Sequence, residues 1–347
     1  MKIKRNSKTG RILGLELLRL LLCFWVIIFH FLKQENSNLY YFRQKKYHVP
    51  CFFIISFYFL YPTIKERNII KMKLRIQRLL IPYLIWPLII WTINNIIFIF
   101  FQTNQFNAIV SFNDLKIQLI GLLGASVIGR KFMIHFWYMF SLIFFNIIFF
   151  IISFLAGTKL FLFIFMIACI LSYIAQYSSF NFNFFSQYSG IIGGSLGYFV
   201  ESIPFAISSF LLSSFNMLEK LKENRIKSLI IVFMLLYLFF KYRIFSDLSG
   251  YAYKGIDKNI VSNFIFILFY LIPFDSLNSP SFINLFTIFT RYTQGIYCAQ
   301  FSTSYIIYLI FHEKGTVFCC ILIYIVGYFI SYIGIKIIGT NKLKYLF

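Results

Sequence analysis

Charge is scarce in this chain, and acidic charge is the scarcest. Asp, Glu, Lys and Arg make up 13% of its 347 residues, and Asp and Glu together number 11. No hydrophilic stretch is long enough to fold as a separate soluble domain of ordinary size. The six cysteines form no CxxC pair and show no metal-ligand spacing, which argues against zinc and disulfide frameworks. There is no Walker-type loop and no Ser-His-Asp order. Internal repeats and low-complexity tracts are also missing, which weighs against an inverted-repeat transporter.

Hydrocarbon side chains fill the space these absences leave. The chain is 60% hydrophobic, with a mean hydropathy of +0.78. Apolar runs of bilayer-crossing length recur from end to end. They fall roughly at 12–32, 48–62, 79–101, 135–155, 160–176, 188–212, 228–244, 259–274, 290–311 and 316–338. The expectation is an all-α fold: a polytopic integral membrane bundle of about ten transmembrane helices. Residues 1–347 form a single membrane-embedded domain with a short N-terminal tail at 1–11. The basic start resembles a signal peptide, but the run behind it is too long and has no small-residue cleavage site. It reads as a retained first helix. The second run is bounded by Pro50 and Pro62, and the ninth is expected to break near Gly295.

The net charge of +22 does not point to nucleic acid, because Lys and Arg sit in short links between apolar runs. That distribution sets topology and contacts anionic lipid. With the N-terminus inside, the inner segments carry the larger share of Lys and Arg. An even number of runs then puts both termini on the cytoplasmic side of the plasma membrane.

The first run, Arg11 to Leu32, carries two groups that hydrocarbon should reject, Arg19 and His30. On a helix their eleven-residue separation returns to within about 20° of one face, about 16 Å along the axis. Glu16 lies one turn before Arg19. Ionisable groups at such depth mark functional sites facing a bundle interior. The plainer alternatives are an Arg19 that snorkels to water and a His30 bonded only to a neighbouring helix.

Arg75 and Arg78 stand one turn apart at the start of the third span, with guanidinium groups leaving the same face. Such a pair suits bidentate phosphate binding, whereas cations at a helix end also simply fix topology. His135, Trp137 and Tyr138 open the fourth span, where aromatic residues suit an interfacial belt. Glu201 is a buried acid candidate, either bonded inside the bundle or serving substrate. Gly190, Gly193, Gly194 and Gly197 suit close helix packing. His48, His135 and His312 fall at outer membrane boundaries and read as solvated.

Taken in order, these segments resemble the membrane acyltransferase-3 family, whose members acylate sugars of surface polysaccharides and related acceptors. Glu16, Arg19 and His30 match its opening acid, Arg and His. Val49 to Leu60 match its second helix; Arg75, Arg78, Pro82 and Trp86 match its third. His135, Trp137 and Tyr138 match its HxWFL segment, and Thr290 to Gln300 its late GkYSfgIYLLH segment. The chain departs from the pattern with Glu16 for Asp, Leu20 and Phe57 for Gly, and Gln300 where a His often stands. These departures mark a divergent member.

The resemblance implies an O-acyltransferase, with O-acetyl transfer the leading case. It moves an acyl group from acyl-CoA to a hydroxyl of a surface polysaccharide or lipid-linked glycan. Arg75 and Arg78 would hold donor phosphate, and Arg19 would contact the donor or keep Glu16 charged. His30 would act as the catalytic base, or carry the acyl group covalently. His135 and Trp137 enter as supporting residues through the family match, and Glu201 as an acceptor-site candidate. Acyl-CoA is a co-substrate; no permanent cofactor, metal or nucleic acid is expected. A different class of reading is a polysaccharide or lipid-linked-sugar transporter on the same fold, without the chemistry.

Overall fold

A computed structural model describes residues 12–32, 47–101, 137–177, 193–246, 254–273, 292–311 and 316–338. Every regular element among them is a helix. In chain order these are α1 (Leu13–Phe31), α2 (His48–Lys65), α3 (Ile69–Phe101), α4 (Trp137–Tyr177) and α5 (Gly193–Ser214). There follow α6 (Met217–Glu223), α7 (Arg225–Ser246), α8 (Lys254–Leu271), α9 (Thr293–Phe311) and α10 (Val317–Ile338). Helices close their own backbone hydrogen bonds, which is the condition hydrocarbon imposes.

The apolar runs become helices close to where they are expected, with three corrections. α2 continues one turn past Pro62, whose carbonyl accepts from the Glu66 backbone N–H at 2.9 Å. It ends where Arg67 takes a left-handed φ of 50°. The Asn68 side chain then accepts from the Lys71 N–H at 2.9 Å, capping α3. The expected loop before residue 79 is therefore helical, and Lys71, Lys73, Arg75 and Arg78 project from α3. Second, the runs at 135–155 and 160–176 form one helix of 41 residues, roughly 62 Å long. The even count that placed both ends on one side loses one member. Third, α9 runs through Gly295 without a break.

α1 and the stretch Tyr138–Leu155 of α4 are long and apolar enough to cross a membrane. The distribution of side chains carries the same message. Leu155 of α4, Ile226 and Phe233 of α7, and Phe318 and Phe329 of α10 all face outward. Ser141, Asn146, Ser209, Ser262, Gln300 and Thr303 are wholly buried. An apolar exterior around polar interior groups suits lipid and would be an aggregation hazard in water.

α2 is the central post. Its Phe53 and Phe57 rings stack at 5.7 Å, and Phe57 meets Phe145 and Phe149 of α4 and Phe210 of α5 at 5.3, 5.5 and 5.9 Å. Phe57 thus fills the joint between three helices. Ser209 of α5 donates to the Ile54 carbonyl at 2.8 Å, and the Cys51 thiol reaches the Ser262 carbonyl of α8 at 3.7 Å. At the far end of α2, Tyr58 packs on Phe266 and Tyr270, and the Tyr270 hydroxyl donates to Glu219 of α6 at 2.8 Å. Arg225 donates through Nε to the Leu271 carbonyl, placing a cation at the C-terminus of α8. α10 lies close on α9 at Gly327, where a Cβ would meet Ile296 at 3.7 Å.

Candidate active site

The site grows from α1, the polar-striped first helix. Near its start Arg19 donates to Glu16 Oε1 at 3.0 Å, with the two side chains 30% and 13% exposed. The Arg19 guanidinium also lies 5.5 Å from the centre of the Phe59 ring of α2. The pair is a partly buried i,i+3 ion pair, which keeps a cation beside the apolar wall of α2.

Arg75 and Arg78 part company in the fold. Arg75 is half-buried; its Nε donates to Asn146 Oδ1 of α4 at 2.7 Å and its Nη2 to the Ser56 carbonyl of α2 at 2.5 Å. Asn146 in turn donates to the Leu142 carbonyl at 2.5 Å. The Ser56 hydroxyl lies 3.3 Å from the Tyr138 hydroxyl. Arg75 therefore ties α2, α3 and α4 together. Arg78 is exposed, and its backbone carbonyl accepts from Gln294 Nε2 of α9 at 3.1 Å. The charges of Arg19 and Arg78 both act on Arg75. Arg19, Arg75 and Arg78 thus lie within electrostatic reach of one another, with Glu16 paired to Arg19, an excess of positive charge between low-dielectric walls.

His30 occupies the last turn of α1, about 16 Å from Arg19 along the axis, and is half-buried. Its ring meets Phe29 at 5.0 Å and Phe31 at 6.1 Å. The other side of this aromatic group is His48, whose ring lies 5.1 Å from Phe29 and 6.2 Å from Trp25. His48 is 2% exposed. The expectation of a solvated boundary residue is wrong for His48, because the first turn of α2 packs against the last turns of α1.

The structure pairs Arg19 with Glu16, brings Arg19 and Arg78 within electrostatic reach of Arg75, and sets His30 about 16 Å further along α1. His135 and His312 lie outside the described residues. Trp137 and Glu201 sit on α4 and α5, with their side chains outside the described set. Tyr138, read from sequence as belt material, is instead buried, in contact with Phe53 at 4.8 Å and Tyr297 at 5.9 Å. Sequence reasoning missed Asn146, Ser56 and His48. The available signal for Asn146 was an amide inside an otherwise apolar run. Ser56 acts through its carbonyl as well as its hydroxyl, and a backbone acceptor leaves no trace in residue identity. Among the described residues no group of three or more His, Cys, Asp or Glu side chains could hold a metal.

No curated protein and no solved structure matches this chain. A family model does: the acyltransferase domain of the acyltransferase-3 family covers residues 12–339, nearly the whole length. The matched span contains the cationic cluster of α1 and α3 together with His30, so the chain belongs to this family and is a membrane acyltransferase.

Proposed function

We propose that the protein transfers an acyl group, acetyl in the leading case, from acyl-CoA to a hydroxyl of a surface polysaccharide or lipid-linked glycan. The observation that supports this most is the arrangement along α1. Three guanidinium groups cluster at one end, and His30 stands about 16 Å further along the same helix. Coenzyme A has the same polarity of design, with phosphates at one end of a long pantetheine arm and the thioester at the other. In this reading the exposed Arg78, with Arg19, holds phosphate, and Arg75 fixes the helix that carries Arg78. The cationic end faces the cytoplasm, where acyl-CoA is made, and the bundle sits in the plasma membrane.

His30 takes the proton of the attacking hydroxyl. A neutral imidazole offers a ring nitrogen that can accept this proton, and Phe29 and Phe31 flank the ring. Glu201 and the aromatic start of α4 remain acceptor-side candidates, with His135 and Trp137 as supporting residues. Mass analysis of surface glycans from cells with and without this gene tests the proposal. The expected result is loss of an acyl mass from the glycan when the gene is removed. Unchanged acylation, with glycan missing from the surface, would move the assignment to a transporter.

A further inference from the structure

Gln300 lies in the middle of α9 with no exposed surface, and neither Nε2 nor Oε1 of its amide has a hydrogen-bond partner among the described residues. Other buried polar side chains nearby are satisfied within their own helices. Thr303 donates to the Ala299 carbonyl at 2.6 Å, and Ser331 to the Gly327 carbonyl at 2.8 Å. Ser141 and Ser262 also have orphaned hydroxyls, but among the described residues Gln300 is the side chain with two separate polar atoms, an amide N–H donor and a carbonyl acceptor, both left over. A buried amide in this condition needs an explanation, because each unmet group carries its full desolvation penalty.

Its position supplies one. The Cys23 thiol of α1 reaches the Thr293 carbonyl of α9 at 3.4 Å, which fixes the register of the two helices. Further along, Ile27 and Leu32 of α1 share a buried cluster with Ile296 and Ile307 of α9, so the helices run parallel. Seven residues beyond Cys23 is His30, and seven beyond Thr293 is Gln300. Seven residues make almost two full turns and rise about 10.5 Å on either helix. Each therefore returns to the face that made the Cys23–Thr293 contact, and both stand at the same depth. Gln300 also follows by one turn Ile296, a member of the buried cluster that holds Ile27 and Leu32 of α1.

We infer that Gln300 is a catalytic residue whose Nε2–H donates to the carbonyl oxygen of the transferred acyl group. The inference rests on the reading of His30 as the base. As the acceptor hydroxyl gives its proton to His30, its oxygen bonds to the thioester carbon and the carbonyl π pair moves onto the oxygen. Gln300 holds that oxyanion. Collapse of the intermediate re-forms the carbonyl, breaks the C–S bond and releases coenzyme A thiolate, which takes the proton from the His30 imidazolium. A neutral side-chain amide in a water-poor bundle is a suitable oxyanion donor, since it needs no reorganisation as charge develops.

The test uses the full-length protein in lipid nanodiscs, with acetyl-CoA and an envelope fraction from cells lacking this gene, and follows thiol release. Gln300→Leu should lower kcat by roughly 10²–10³. KM for acetyl-CoA should stay within about threefold, since only a transition-state contact is removed. The melting temperature should hold or rise, because the substitution deletes two orphaned buried atoms. Gln300→His, which restores a ring N–H, should recover part of the rate. Parental kcat in Gln300→Leu, or a rate loss that tracks a lower melting temperature, overturns the inference. His30→Gln, assayed alongside, separates the two proposals. An active parent with inactive His30→Gln and unaffected Gln300→Leu removes only the role of Gln300. A parent that releases no thiol removes the acyl-transfer reading and this inference together.

Discussion

Arg75 donates through Nε to Asn146 Oδ1 at 2.7 Å, and this bond makes a structural cross-link out of one member of an apparent phosphate-binding pair. Three residues turn a helix by about 300°, so Arg75 and Arg78 point some 60° apart. That offset takes Arg75 to Asn146 and Ser56 and leaves Arg78 outside.

The two arginines should therefore respond differently to substitution. Arg75→Ala should destabilise the bundle by roughly 1.5–3 kcal/mol for each lost charge-assisted bond, leaving Asn146 Oδ1 without its Arg75 donor. Arg78→Ala should destabilise the bundle less than Arg75→Ala and weaken acyl-CoA binding by roughly 10- to 150-fold. Unfolding curves and donor titrations on both variants check this. Equal stability of the two would contradict the assignment of Arg75 as a cross-link.

His30→Gln keeps much of the size and hydrogen bonding of the side chain but cannot take up a proton. Normal amounts of folded protein are expected, with acyl transfer reduced by about 10²–10⁴. Glycan mass analysis and in vitro turnover provide the readouts. Parental acylation by a well-expressed variant would remove His30 from the mechanism.

His48 is expected to act through packing. It and His30 both contact Phe29, so His48→Ala should loosen the wall that fixes the His30 ring. Misplacement of a catalytic group by about 1 Å can cost up to about 10²-fold in rate. The expected signature is a lower kcat with donor affinity unchanged, and partial rescue by His48→Phe. A variant with parental turnover would confine His48 to the helix interface alone.

Phe57→Ala should be among the most damaging apolar substitutions. The ring is fully buried and meets Phe53, Phe145, Phe149 and Phe210. Removing such a side chain typically costs about 3–5 kcal/mol. Phe57→Gly, the residue common in the family, should be no better tolerated unless Phe145 or Phe149 moves into the space. Thermal unfolding of the purified protein decides, and a shift too small to measure would mean the joint collapses freely.

The sequence by itself determined that the chain is helical and apolar, because hydrocarbon accepts only backbones that close their own hydrogen bonds. It also determined the family, through residues matched in order over nearly the whole length. It placed Glu16 beside Arg19, because i,i+3 neighbours meet on any helix. Tertiary structure decided what local spacing leaves open. Whether two arginines one turn apart share a task depends on the helices around them, and α2 and α4 claim Arg75 through Ser56 and Asn146. Whether His48 is wet depends on the packing of α1 against α2, which buries it beside Trp25 and Phe29. The register of α9 against α1 follows from a contact far apart in sequence, the Cys23 thiol on the Thr293 carbonyl. Periodicity reports which way a side chain leaves its own helix; only the neighbouring helices decide what it meets there.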